Sequence, residues 1–400
     1  MTRRLAFALL AMTVAQAAVY VARPMTSYRL LGLGEGARAV GFVAAAFALL
    51  PLFLAIPLGR YADRRGGPLL GAGCAVQAVA CVLLAVAETP LTLAGASAVL
   101  GLGHLALALG VQEVIARESH DERHDSHFGL LAAGVSLGQL VGPLIGGFLL
   151  DHGGGSRLDA TGRGMLTAAA IAALATACAI VAELSRDGRG SRVAAAARRG
   201  SVRAIVGTRG VPAGIFASIA VLSAADIFTA YMPVLGEQRG IAPGVVGVLL
   251  AVRAAASMAS RVGIGRIVAR VGRVRLITLS AASAAAALAA MTAIDDVFAL
   301  AALCVVAGAG LGFGQPLSMT LVVQLVPEHA RATALGVRLT GNRLGQVAAP
   351  AAAGVVAGSA GASSVFWLTS AMLVASAVAI RRPPAAPPPA PVEAAESALE

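Results

Sequence analysis

Long apolar stretches recur along almost the whole chain, separated by short polar segments that are rich in arginine. A helix needs about 20 apolar residues to cross a bilayer core that is about 30 Å thick. Stretches of this length predict twelve transmembrane helices, at residues 5–28, 38–58, 69–87, 91–116, 128–150, 164–183, 211–234, 242–262, 274–293, 297–325, 332–357 and 361–380. The pattern therefore predicts an all-α membrane protein.

The second half of the chain repeats the pattern of the first. The run Gly138-Gln139 with Pro143 recurs 207 positions later as Gly345-Gln346 with Pro350. Six predicted spans fall in each copy, so we predict two pseudo-symmetric six-helix bundles. A duplication of this kind in a membrane protein is typical of transporters whose site lies between the halves. The predicted domains are an N-terminal six-helix bundle at 1–183, a cytoplasmic connector at 184–209, a C-terminal six-helix bundle at 210–380 and a disordered cytoplasmic tail at 381–400.

Composition excludes a soluble protein and orients the chain. The sequence is 58% hydrophobic and 13% charged, with a mean hydropathy of +0.82, whereas about a quarter of a soluble domain is charged. All 31 basic residues are arginines, and most lie at the two ends and in the loops on their side of the membrane. By the positive-inside rule, both termini are predicted to be cytoplasmic. The net charge of +11 is thus a topology signal, and no nucleic-acid motif accompanies it.

The cysteines predict neither a metal site nor a cofactor site. The cysteines lie inside apolar spans without metal-ligand spacing, which favours small buried hydrophobes. They are Cys74, Cys81, Cys178 and Cys304.

The first apolar stretch has no small-residue cleavage site, so we interpret it as a span rather than a removable signal.

The loop after the second span carries a recognisable motif. It runs Gly59-Arg-Tyr-Ala-Asp63-Arg64-Arg65-Gly66, and this G-x-x-x-D-R-x-G pattern resembles the signature loop of the major facilitator superfamily (MFS). The resemblance extends to the twelve spans, the duplication and the echo of the loop in the second half, where Ala269 replaces the acid. It implies that Asp63 closes a latch on the cytoplasmic side. The implied latch residues are Gly59, Asp63, Arg64, Gly66 and Arg117.

The fifth span carries a second motif, G-x-x-x-G-P-x-x-G-G. It resembles a pattern of the superfamily's proton antiporters, mainly exporters of drugs and metabolites, and therefore favours export over import. Small residues four apart let helix backbones approach closely, and a proline bends a helix. Ordinary glycine-mediated packing, with no bearing on the direction of transport, remains the alternative. The motif residues are Gly138, Gly142, Pro143, Gly146 and Gly147.

Polar side chains inside the spans are the candidates for the pathway of substrate and protons. Charges within a bilayer are costly and tend to face a cavity or a partner, and in the superfamily spans one, four, seven and ten line the cavity. Asp226 is the candidate proton carrier, because burial without a partner favours the protonated carboxyl group. Structural roles are the alternative, including pairs of Arg253 with Asp226 and of Glu113 with Arg117. The candidates are Gln16, Tyr20, Arg23, His104, Asp226, Arg253, Gln315, Asn342 and Arg343.

These features predict a secondary active transporter rather than an enzyme. We expect proton-coupled efflux of a small molecule, a drug or a metabolite, by a monomer that is embedded in the cell membrane without a cofactor. Proton-coupled uptake of an organic anion or other nutrient is the alternative, because membrane-embedded arginines favour a neutral or anionic substrate. A non-transporting membrane sensor is a third interpretation, which the lack of a large soluble domain disfavours.

Overall fold

The computed structural model describes residues 2–65, 68–118, 124–185, 202–327 and 330–381, without the side chains of 63–65, 124, 125 and 332. Twelve long helices and two short ones make up this part of the chain. The long helices are α1 (Arg3–Gly32), α2 (Ala37–Arg65), α3 (Leu69–Val86), α4 (Pro90–Glu118), α5 (His124–His152), α6 (Arg157–Leu184), α8 (Val211–Gln238), α9 (Pro243–Arg261), α11 (Arg273–Ala290), α12 (Val297–Gln324), α13 (Arg331–Ala360) and α14 (Ala362–Arg381). The short ones are α7 (Val202–Gly207) and α10 (Ile264–Val271). The predicted all-α class with twelve long helices is confirmed.

Eleven of the twelve long helices in the described residues are long and apolar enough to cross a membrane. The exception is α13, whose apolar run is interrupted by four polar residues: Arg338, Asn342, Arg343 and Gln346. These polar residues are mostly buried, whereas Leu344 and Val355 of the same helix are exposed, so α13 turns its polar face toward other helices. The buried polar residues of α13 thus indicate that the interior of the protein is polar.

Several helices extend beyond their predicted spans: α2 continues to Arg65, so Gly59 and Asp63, predicted in a loop, lie in the helix. Two further differences have local reasons. Helix α6 begins at Arg157 because Ser156 and Asp159 form a capping box, which adds a polar turn before the apolar run and places Arg163 inside the helix. Residues 263–272, predicted as loop, contain α10, which begins after Gly263 at a φ of 74°. The predicted connector and tail lie largely outside the described residues.

The first six long helices pack on one another, and so do the last six. Helix α1 packs on α5 and α6, and α3 packs on α4 and α6, while α8 packs on α13 and α14 and α11 packs on α12 and α14. The two halves meet where α2 packs on α13, α5 on α9 and α1 on α8. The repeat relates α2 to α9 and α5 to α13, so the seam of α2 with α13 is equivalent to the seam of α9 with α5, while α1 and α8 are the first long helices of the two halves.

Apolar packing joins the two halves at one end only of the described structure. The largest apolar cluster contains residues of both halves, such as Tyr20 and Phe47 with Phe228 and Phe366. It lies toward the end at which α1 ends and α2 begins, which we call the closed end. The clusters toward the opposite end, which we call the open end, each contain residues of one half. The halves therefore separate toward the open end.

Two glycine contacts at the closed end are related by the internal repeat. A Cβ atom on Gly41 of α2 would lie less than 3.0 Å from the carbonyl oxygen of Pro350 in α13. A Cβ atom on Gly247 of α9 would meet the carbonyl oxygen of Pro143 in α5 in the same way. Pro143 and Pro350 are the repeated prolines, so both seams use the same backbone contact. Only glycine permits so close an approach.

Candidate substrate-binding cavity

A cavity of about 290 Å³ lies between the two halves. Helices α1, α2, α4 and α5 of the first half line it, together with α8, α12 and α13 of the second. The lining residues are Gln16, Val19, Tyr20, Arg23, Phe47, His104, Val135, Gln139, Leu222, Asp226, Gln315, Arg338, Leu339, Asn342, Arg343 and Gln346. Its volume is at the lower end of the range of small-molecule sites, about 300–1,000 Å³.

The cavity collects eight of the nine predicted pathway residues: Gln16, Tyr20, Arg23, His104, Asp226, Gln315, Asn342 and Arg343. The ninth, Arg253 of α9, does not line it. The guanidinium carbon of Arg253 lies 5.6 Å from the centre of the Phe228 ring, so this arginine is held by packing behind α8. The ion pair of Arg253 with Asp226, considered as an alternative, is replaced by one between Asp226 and Arg23.

Arg23 and Asp226 form an ion pair between the two halves. The Nη1 atom of Arg23 lies 2.6 Å from Oδ1 of Asp226, and both side chains are about nine-tenths buried, at 11% and 8% exposure. The two residues are 203 positions apart, as are Thr26 and Thr229 or Tyr28 and Tyr231. They lie on α1 and α8, the first long helices of the two halves, so the pair bridges the halves.

A hydrogen-bond chain extends this ion pair along α13. The Nε2 atom of Gln346 donates to the second carboxylate oxygen of Asp226 at 2.7 Å. The Nη1 atom of Arg343 in turn donates to Oε1 of Gln346 at 3.1 Å. One carboxylate is thus bound directly by Arg23 and, through an amide, by a second arginine.

A separate polar cluster surrounds Arg338, one turn before Asn342. Its Nη2 atom donates to Oε1 of Gln315 at 2.7 Å and to the carbonyl oxygen of the same residue at 3.1 Å. Gln315 uses its own amide nitrogen to donate to the carbonyl oxygen of Ser218 at 2.8 Å. Arg338 is buried, and its hydrogen-bond partners in the described part of the chain are neutral oxygens, so its positive charge is solvated by dipoles rather than by an acid.

Two aromatic rings also contact Arg23. Its guanidinium carbon lies 4.8 Å from the centre of the Phe47 ring and 5.9 Å from that of Tyr20. His104 lies next to Phe47, with ring centres 6.0 Å apart. A cation over an aromatic face is stabilised by the ring quadrupole, so these rings fix the orientation of Arg23 toward the carboxylate.

Several buried polar atoms around the cavity have no hydrogen-bond partner among the described protein atoms. They are Oε1 of Gln16, Nδ1 of His104, Oγ of Ser223, Nε of Arg338 and Oδ1 of Asn342. A buried polar group without a partner costs free energy, and native proteins satisfy nearly all of them. Their concentration around one cavity indicates a place where water or a ligand supplies the missing bonds.

Sequence reasoning missed several lining residues. Phe47 carries no polar signal within its apolar span. Gln139 could have been found, because it repeats Gln346 at a distance of 207 positions. Arg338 and Gln346 stood on the same helical stripe as Asn342 but were not chosen as site residues.

The glycine–proline motif of α5 positions the cavity without lining it. Cβ atoms on Gly138 and Gly142 would lie less than 3.0 Å from atoms of α1, including the Cβ atoms of Gln16 and Tyr20. Gly146 faces Met25 of α1 across a wider gap, and Gly147 meets the backbone of Gly244 in α9. The motif therefore brings α1 close to α5 and completes the seam with α9.

The predicted latch lies partly outside the described residues. Gly66 and the side chains of Asp63 and Arg64 are among the residues not described, and a Cβ atom on Gly59 would contact nothing within 4 Å. Arg117 forms an ion pair with Glu113 at 2.8 Å, as the spacing of one helical turn allows. The latch of Asp63 stays a prediction.

The family model described as Major Facilitator Superfamily matches residues 5–292 and 214–399. The chain belongs to this superfamily. Membership makes it a multi-pass membrane transporter rather than an enzyme. No curated protein matches the sequence at a significant level.

Solved structures of transporters share the fold. The nucleoside transporter NupG is similar at a TM-score of 0.71 and 14% identity, covering 95% of this chain and 98% of that chain. A POT family transporter in complex with a thioalcohol-conjugated peptide gives 0.75 and 13%, covering 94% and 95%. A bacterial homologue of the human lysosomal transporter Spinster, inward-facing and unoccupied, gives 0.71 and 14%, covering 95% of both chains. At these identities the likeness concerns the fold and not the substrate.

Proposed function

We propose that this superfamily member exports a small molecule, a drug or a metabolite, across the cell membrane in exchange for protons. It works as a monomer with both termini in the cytoplasm. The observation that supports this proposal best is the buried ion pair of Arg23 with Asp226 beside a cavity that lies between two halves joined at one end. With the termini cytoplasmic, the closed end faces outward and the cavity opens toward the cytoplasm, where an exporter loads its substrate.

Alternating access follows from rocking of the halves about the cavity. The glycine seams at Gly41 and Gly247 close the outer side in this state. When the halves rock, those seams part and the open end closes. An element with two discrete packings, rather than a continuously deformable one, is what such a switch requires.

Proton coupling is assigned to Asp226. Protonating its carboxylate removes the charge that binds Arg23 of the other half, so binding of a proton weakens the contact between the halves. Loss of the proton restores the pair. A proton therefore has different affinity for the two states of the transporter, which is the condition for coupling.

The experiment is a flux assay in inverted membrane vesicles. Accumulation of compounds from a panel of drugs and metabolites is compared with and without an imposed pH gradient, for the native chain and for Asp226→Asn. We expect gradient-driven accumulation in the native chain and its loss, by tenfold or more, in the variant. Asp295→Asn is the matched control, because it removes the same charge from a side chain that is 83% exposed.

Two results contradict the proposal. If Asp226→Asn keeps the full dependence on the pH gradient, the assignment of the proton carrier is wrong. If no compound accumulates in response to the gradient while one is taken up by right-side-out vesicles, the direction of transport is wrong.

Proton-coupled uptake of an organic anion is the second candidate. The observation that favours it is the presence of three arginines among the cavity-lining residues, since cationic drugs are the substrates that such a cavity accepts least. Right-side-out vesicles with an inward proton gradient distinguish the two directions, because uptake then appears as accumulation inside.

A further inference from the structure

The cavity carries more positive than negative charge. Its lining contains Arg23, Arg338 and Arg343 but one acid, Asp226. Asp226 is bound directly by Arg23 and indirectly by Arg343, and neither Arg338 nor Arg343 forms an ion pair with an acid in the described part of the chain. The formal charge of the lining is therefore +2.

Uncompensated positive charge inside a membrane protein is costly. Arg338 shows the cost in its surroundings: it is 5% exposed, its acceptors are neutral, and its Nε atom has no partner. Arg343, one position beyond Asn342, offers a second guanidinium that is only half-buried. A bound anion supplies the missing negative charge, and a guanidinium binds carboxylate with two parallel hydrogen bonds.

Two buried oxygen atoms without a hydrogen-bond donor place a second requirement on the ligand. Oε1 of Gln16 on α1 and Oδ1 of Asn342 on α13 are buried without a hydrogen-bond partner. An oxygen acceptor is satisfied by an O–H or N–H donor. These two oxygens come from different halves, so a ligand that donates to both contacts both moving parts.

We propose that the cavity binds a small organic anion that also carries hydroxyl groups, with Arg338 and Arg343 contacting its carboxylate and Gln16 and Asn342 accepting its hydroxyl protons. This inference rests on the proposed function, since it names the substrate class of the same cavity. Polyhydroxylated carboxylates, such as sugar acids, have this chemistry. Cationic compounds are excluded by the excess positive charge.

The test is an equilibrium measurement that needs no transport. The thermal unfolding temperature of the purified full chain in detergent is measured with glycerate, gluconate or glucuronate. Each is compared with its uncharged counterpart, glycerol, sorbitol or glucose, and with cationic glucosamine. We expect at least one carboxylate to raise the unfolding temperature by about 2 °C or more, as a ligand that binds the folded state does, while the uncharged and cationic compounds do not.

Substitutions identify the site. Arg343→Gln should lose most of the carboxylate-dependent shift, and Arg343→Lys, which keeps the charge, should retain part of it. Arg338→Gln should behave like Arg343→Gln, provided that its unfolding temperature without ligand shows a folded protein. Arg275→Gln is the matched control, because Arg275 is an exposed arginine at the start of α11 and should leave the shift unchanged.

The proposal is overturned if no carboxylate produces a shift, if the uncharged compounds produce the same shift, or if Arg343→Gln binds carboxylate like the native chain. Because binding is measured without a gradient, its outcome is separate from that of the vesicle assay. Carboxylate binding without gradient-driven flux contradicts the proposed function alone, and gradient-driven flux of an uncharged compound without carboxylate binding contradicts this inference alone.

Discussion

Helices α5 and α13 occupy equivalent places in the two halves but present different chemistry to the cavity. Both have a glycine that packs against the first helix of its half, Gly138 on α1 and Gly345 on α8. Both have a proline whose carbonyl oxygen packs against a glycine of the opposite half. These shared contacts are the ones that rocking of two similar halves requires.

The positions before these shared residues have diverged. Arg338, Asn342 and Arg343 of α13 correspond, 207 positions earlier, to Leu131, Val135 and Ser136 of α5. Gln139 and Gln346 are the same residue and both line the cavity. The comparison teaches that the repeat preserves the moving scaffold, while the site arises from side chains that one copy has and the other lacks.

The largest effect is expected from breaking the ion pair of Arg23 with Asp226, which joins the first long helices of the two halves. Asp226→Asn leaves Arg23 buried without its acid, and losing one partner of a buried ion pair costs roughly 3–5 kcal/mol. The double variant Arg23→Gln with Asp226→Asn should recover a large part of that loss, because no unpaired charge is left. Thermal unfolding in detergent measures both. A double variant that is less stable than Asp226→Asn alone would show that the pair is not the source of the effect.

The glycine seams should respond equally if the two halves are equivalent there. Gly41→Ala and Gly247→Ala each place a methyl group against a proline carbonyl, and such overpacking costs about 1–3 kcal/mol. We expect either change to weaken the closed end and slow transport by about tenfold or more. Gly95→Ala is the control, since a Cβ atom there would contact nothing within 4 Å. A strong effect of one seam with none of the other would break the equivalence.

Asp151 at the end of α5 is a closed-end contact that the second half lacks. Its Oδ1 atom accepts a hydrogen bond from the backbone N–H of Gly244 at 3.0 Å, near the start of α9. The equivalent residue of α13, 207 positions later, is Gly358. A carboxylate at a helix N-terminus contributes about 0.3–1 kcal/mol, so Asp151→Asn should raise opening of the outer side roughly two- to fivefold.

Opening of the outer side can be measured by maleimide labelling of Ser27→Cys from outside the cell. Ser27 is buried at the closed end, where its hydroxyl donates to the carbonyl oxygen of Ala230 at 2.8 Å. Labelling of this cysteine should be faster when Asp151→Asn is added. An unchanged labelling rate would mean that the contact with Gly244 does not hold the closed end.

The smallest effect is expected at the ion pair between Arg157 and Glu237, which also joins the halves at the closed end. Its side chains are 39% and 36% exposed, at an N–O distance of 2.6 Å. Exposed pairs contribute about 0–1 kcal/mol because water and salt screen them. Glu237→Gln should therefore change the labelling rate of Ser27→Cys by less than Asp151→Asn does, and by about fivefold at most. An effect larger than that of Asp151→Asn would reverse this ranking.

The chain alone determined the helices, the repeat and half of the residues that line the cavity. Helical spans follow from local apolar runs, and polar residues within them are confined to a protected interior because lipid cannot solvate them. The position of Gln16, Arg23 and Asp226 in one cavity was predictable on these grounds. The tertiary structure decided which polar groups meet: Asp226 pairs with Arg23 rather than Arg253, and Arg338 contacts Gln315. It also decided that the halves join at the closed end, where Gly41 and Gly247 lie. Contacts between distant segments depend on how whole helices pack, and no local pattern encodes them.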